Sequence, residues 1–93
     1  MTKKEIVSTI ADKRGIDKIV VLEIVEELMK EIKRNVAAGE TVYLRGFGCF
    51  GPKIRKAKIG RNISQGTEVE IPEHLEPDFK PYPDFRKLLY RKG

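Results

Sequence analysis

The sequence predicts an α+β chain: a helical hairpin base, a three-stranded antiparallel sheet with a protruding two-stranded β-arm, and a short C-terminal helix. Three observations predict it. Apolar residues recur every three or four positions as far as Val36, and from Thr41 they alternate with polar ones. Six bases and no acid then lie between Arg45 and Gly66: Arg45, Lys53, Arg55, Lys56, Lys58 and Arg61.

Thr2 and Glu5 form a T-x-x-E capping box that starts the first helix, with Ile6, Val7, Ile10 and Ala11 on one side and Gly15 as its stop. Asp17 caps the second helix. Val21, Ile24, Val25, Leu28, Met29, Ile32 and Val36 run along it to Gly39. Ile19, Val20 and Leu22 widen its apolar surface beyond one stripe, which predicts two packing partners: the first helix and a second copy of the chain.

Thr41 to Arg45 reads as a half-buried strand with Val42 and Leu44 inward and Tyr43 and Arg45 outward. Gly46-Phe47-Gly48 makes the turn. Cys49, Phe50 and Ile54 resume extended structure, while Gly51 and Pro52 predict an edge or bulge and imperfect pairing. Lys53 and Arg55 stand at odd positions and Lys56 and Lys58 at even ones, so either a bulge intervenes or both faces are wet. With Thr67 to Pro72 as an alternating return strand, residues 53–75 are expected to form the arm, its tip at Asn62 to Gly66. The last helix should begin near Pro83-Asp84, with Phe85, Leu88 and Leu89 apolar and Arg86, Lys87, Arg91 and Lys92 exposed. The order is α-α-β-β-β-α.

Charge is divided unevenly along the 93 residues: 1–44 hold eight bases and eight acids, 45–93 eleven and six. The C-terminal half is the ligand-like half, and a cationic β-ribbon suits a nucleic-acid backbone. The acids of the return strand, Glu68, Glu70, Glu73, Glu76 and Asp78, leave the positive charge concentrated in one place in the linear sequence. One small domain spanning 1–93 is expected, marginal by itself because so short a chain buries only about 60–65% of its unfolded surface. Cys49 is the only cysteine, and no charged leader precedes an apolar run, so the expected setting is the reducing cytoplasm. No apolar stretch approaches the ~20 residues that span a bilayer.

The T-K-K-E-I start, Gly46-Phe47-Gly48-Cys49-Phe50, Gly60-Arg61-Asn62, Ile71-Pro72 and Phe79-Lys80-Pro81 together resemble the hallmarks of the bacterial histone-like HU/IHF DNA-binding proteins, over essentially the whole chain. The resemblance implies an intertwined dimer whose helices form a base and whose two arms embrace double-stranded DNA and enter its minor groove. It implies that Arg55, Lys58, Arg61 and Asn62 meet DNA from the arm, and Lys3, Gly46, Lys80 and Arg86 from the body. Lys53 and Lys56 join them as bases of the arm. Phe47 and Phe50 match aromatic core positions. Two residues depart from the family pattern. Ile63 stands where the intercalating proline is usual, apolar and bulky enough to enter a base step but without the rigid ring. Pro83 stands where a base is common, which removes one phosphate contact.

Other chemistries find less support. His74 and Cys49 are single representatives of their types without companion ligands, so neither a metal site nor a nucleophilic pair is expected. Glu23, Glu26, Glu27 and Glu31 on the second helix would repel phosphate in a major groove. No glycine-rich phosphate loop or nucleophile elbow is present, so neither an enzyme nor a cofactor is expected. The competing class is an interaction module whose basic arm grips RNA or an acidic protein. Whether the partner chain is identical or a related one stays open.

Overall fold

The computed structural model describes residues 1–62 and 66–90, so Ile63 at the arm tip and Arg91 and Lys92 at the C-terminus lie outside the described residues. The chain divides into two compact units, Met1–Arg34 and Asn35–Gly93.

In the first unit, helix α1 spans Lys3–Arg14 and helix α2 begins at Lys18 and runs to Ala37. The Thr2 hydroxyl accepts from the Glu5 amide at 3.2 Å, as the capping box requires. At the other end Gly15 adopts φ 63°, and its N–H and that of Ile16 both donate to the Ala11 carbonyl, satisfying an acceptor the helix leaves open. Asp17 Oδ1 accepts from the Ile19 amide at 2.8 Å and caps α2. The buried core between the two helices is small: Val7, Ala11 and Val21, with Leu22 and Val25 packed against it. Half of the apolar residues read on α2 are therefore exposed, including Ile19 at 66%, Ile24 at 62% and Leu28 at 51%.

Helix α2 ends in the second unit with paired bonds, Glu40 N–H to Asn35 O and Gly39 N–H to Val36 O, and Gly39 takes φ 89°. Strand β1 (Val42–Leu44), strand β2 (Gly48–Arg55) and strand β5 (His74–Pro81) form an antiparallel sheet in the order β1-β2-β5. Strand β3 (Lys58–Asn62) and strand β4 (Thr67–Ile71) form a separate two-stranded ribbon. Helix α3 (Pro83–Arg86) starts on Pro83 as expected and tightens into a 3₁₀ turn over Lys87–Leu89.

One face of the sheet is apolar because register aligns like with like. Phe50 opposes Phe79 and Ile54 opposes Leu75. Phe47, Phe50, Phe79 and Phe85 form one aromatic cluster, with Phe50 and Phe79 ring centroids 4.7 Å apart and Phe47 stacked on Phe85 at 5.2 Å. The Tyr82 amide donates to the Phe47 carbonyl at 3.0 Å and carries the ladder into the turn. Gly48 is fixed by close approach: a Cβ there would lie 2.5 Å from the Lys80 carbonyl oxygen and 2.6 Å from the Phe79 ring.

Two expectations about the strands are corrected. Pairing around Pro52 is not imperfect, since β2 pairs with β5 from Gly48 to Arg55 without interruption. Pro52 opposes Pro77, and β1 has already ended at the Val42–Phe50 pair, so the missing N–H groups fall where no strand requires them. The ribbon also begins later than residue 53. Residues 53–55 still pair with 74–76 in the three-stranded sheet, and the break comes at 56–57 opposite 72–73, where Pro72 offers no donor.

The change of parity among the bases has a clear origin. Arg55 opposes His74 before the break and Lys58 opposes Ile71 after it, so two residues intervene on each strand and the register is unchanged. There is no bulge. Instead the ribbon is exposed on both faces, with Ile59 69% exposed on one and Val69 47% on the other.

Candidate nucleic-acid interface

Lys3, Gly46, Lys53, Arg55, Lys56, Lys58, Lys80 and Arg86 are all solvent-exposed, and their surroundings differ. Lys3, in the first turn of α1, is exposed and donates to Glu26 Oε1 at 3.0 Å. Gly46 occupies the turn between β1 and β2 at φ 78°, a conformation that disfavours any side chain. Lys53 lies exposed on β2 opposite Glu76, and Lys80 exposed on β5 opposite Cys49. Both line a shallow hollow over the polar face of the sheet, together with Thr41, Tyr43, Cys49 and Asp78. Arg86 is exposed at the end of α3.

Arg55 closes β2 and is held there. Its Nε donates to Glu76 Oε2 at 3.1 Å, and its terminal nitrogen stands 3.7 Å from Asp78 Oδ1. Lys56 sits exposed in the interruption and Lys58 exposed at the first position of β3. In backbone register Arg61 opposes Glu68 and Asn62 opposes Thr67.

These pairings revise the picture of charge. The acid-free run lies on β2 and β3, and the register sets the acids of β4 and β5 directly beside it. Residues 53–76 hold five bases and four acids, so the ribbon and its root have one basic edge and one acidic edge. Adjacent strands are about 4.8 Å apart, well inside a Debye length of roughly 8–10 Å, so the two edges feel each other fully.

Sequence reasoning missed one group, at the root of the ribbon. His74 Nδ1 is 2.8 Å from the Pro72 carbonyl oxygen and Nε2 is 2.8 Å from Glu76 Oε1. The Pro72 carbonyl and the Glu76 carboxylate, in that order, raise the pKa of His74 above histidine's ordinary value. The hydrogen bonds from His74 and then Arg55 hold the Glu76 carboxyl below its own. A hairpin register that sets 62 opposite 67 would have brought these partners together on paper, because it also sets 55 opposite 74.

Comparison with known proteins agrees with this architecture. The model of a family described as bacterial DNA-binding protein matches residues 1–89. A prophage-derived DNA-binding protein HU 2 of Bacillus subtilis is 37% identical over 87% of this chain and 88% of its own length. An integration host factor subunit beta of Sodalis glossinidius is 36% identical over 92% and 93%. Among solved structures, an Anabaena HU–DNA cocrystal structure superposes with a TM-score of 0.88 at 32% identity, covering 96% of this chain and 97% of that one. HU from Thermotoga maritima gives 0.68 at 26% identity, covering 97% and 100%. With helical hairpin, sheet and ribbon in the same order as these relatives, the chain belongs to the HU/IHF family of bacterial DNA-binding proteins.

Proposed function

We propose that this chain is an architectural protein that dimerises, holds double-stranded DNA between two ribbons through the minor groove with little sequence preference, and bends and compacts it. The observation that carries the reading is the β3–β4 ribbon, exposed on both faces and basic along one edge, in a chain of this family. A ribbon with no packed face contributes nothing to a core, and both its faces are available to a groove.

Lys53, Arg55, Lys56, Lys58, Arg61 and Asn62 are the proposed contacts along the ribbon and its root, with Lys3, Gly46, Lys80 and Arg86 meeting phosphates from the body. Cations at these places release counterions and add affinity without reading bases. The minor groove shows a degenerate pattern of acceptors, so deformability of the duplex decides preference. Ile63 is the proposed wedge that unstacks a base step, at a cost of a few kcal/mol offset by the contacts of the bent flanks.

Dimerisation is supported by uncovered apolar side chains: Ile19, Ile24 and Leu28 on α2, and Ile54 and Leu75 on the sheet. Covering each fully is worth about 1.5–3 kcal/mol, enough in sum to favour a second chain, identical or related.

Titration against intact, nicked and four-way DNA at two salt concentrations tests the reading. Nicked and four-way DNA should bind more tightly than intact duplex, Ile63→Ala should shrink that difference, and about six to ten phosphate contacts would cost 10³–10⁵ in affinity between 50 and 200 mM salt. Equal affinity for all three DNAs, or displacement from bent DNA by an equal concentration of single-stranded RNA, would count against it.

A further inference from the structure

The break between sheet and ribbon is bridged by one side chain. His74 is the first residue of β5, opposite Arg55, and lies just past the interruption at 72–73. Its two ring nitrogens point at two acceptors, the Pro72 carbonyl on the ribbon side and the Glu76 carboxylate on the sheet side, each at 2.8 Å. Only an imidazolium can donate to both; a neutral ring has one N–H and must leave one acceptor facing a lone pair. We propose that His74 is a proton-operated latch, which ties the root of the ribbon to the sheet when both ring nitrogens carry protons and releases it when one proton leaves.

The charged groups around the ring act in known directions. On its own strand Glu76 favours the imidazolium; across from it Arg55 on β2 opposes it. Arg55 is itself neutralised by Glu76 and by Asp78, which limits that opposition. His74 is partly exposed, so a proton can exchange freely with solvent. Because the folded protein raises the pKa of His74, the latch is complete below the value of a free histidine and is lost as pH rises through the folded value. Glu76 works the other way: its contribution is present above the value of a free carboxyl and is lost as pH falls through its lowered one. The latch is therefore closed in the interval between them and opens as pH rises through the folded value of His74.

His74 is the only histidine, so its ring protons give a single, unambiguous NMR titration. With the free protein, that titration is followed from about pH 5 to pH 8 alongside ¹⁵N relaxation of the ribbon amides in β3 and β4. The ribbon should lose order with one midpoint, coincident with that of His74, while the amides of β2 stay unchanged. Glu76→Gln should move both midpoints down together, and His74→Gln should leave ribbon order flat across the range. Ribbon order independent of pH in the native protein, or the same pH dependence persisting in His74→Gln, would overturn the latch. No DNA is present, so the result stands or fails apart from the proposed DNA grip.

Discussion

The sheet and the ribbon are built from the same two stretches of chain in one continuous register, yet they solve different problems. Around Phe50 and Phe79 the paired strands have an aromatic cluster on one face, and a Cβ cannot even be added at Gly48. Four residues past the Ile54–Leu75 pair, the same strands pair only with each other and leave Ile59 and Val69 exposed. A two-stranded ribbon alone is marginal in water, so the ribbon draws its order from the sheet at its root. The sheet is selected for packing and the ribbon for what it presents.

Substitutions can break that contrast. Phe79→Ala removes the ring at the centre of the cluster and should destabilise the protein by about 3 kcal/mol, at the low end for phenylalanine because the residue is not fully buried, as read by urea unfolding. Gly48→Ala forces a methyl group against backbone and should cost about 1–3 kcal/mol in the same assay. On the ribbon the sensitivity should pass from stability to affinity. Removing the acidic edge with Glu68→Gln and Glu70→Gln together should leave unfolding unchanged and tighten DNA binding several-fold, about 1 kcal/mol, with the gain shrinking at high salt. Val69→Ala, an exposed aliphatic truncation, should change stability by less than about 0.5 kcal/mol.

Much of the local structure was legible because its causes are local. Thr2, Asp17, Gly15 and Gly39 act within a few residues of themselves, and all four mark the helix ends they were read to mark. The alternation of Val42, Tyr43 and Leu44 also appears as written. Charge was read along the chain, where bases and acids separate cleanly; pairing is a property of register, and register depends on where the hairpin turns. That is why the partnership of Arg55 with Glu76 and Asp78 was invisible, and why the arm was begun at 53 when the sheet still claims 53–55. His74 was weighed only as a metal ligand or catalytic base, whereas its significance comes from two acceptors supplied by Pro72 and Glu76.

The central claim, that the ribbon supplies most of the grip on DNA while the sheet anchors it, is tested most directly by excision. Residues 56–73 are replaced by Asn-Gly, a two-residue turn suited to joining the paired ends Arg55 and His74, and affinity for nicked duplex is measured beside thermal unfolding. The account predicts an unfolding midpoint close to that of the intact chain and a loss of at least about 100-fold in affinity, as expected when several phosphate contacts vanish together. Undiminished affinity in a folded, ribbonless protein would contradict it.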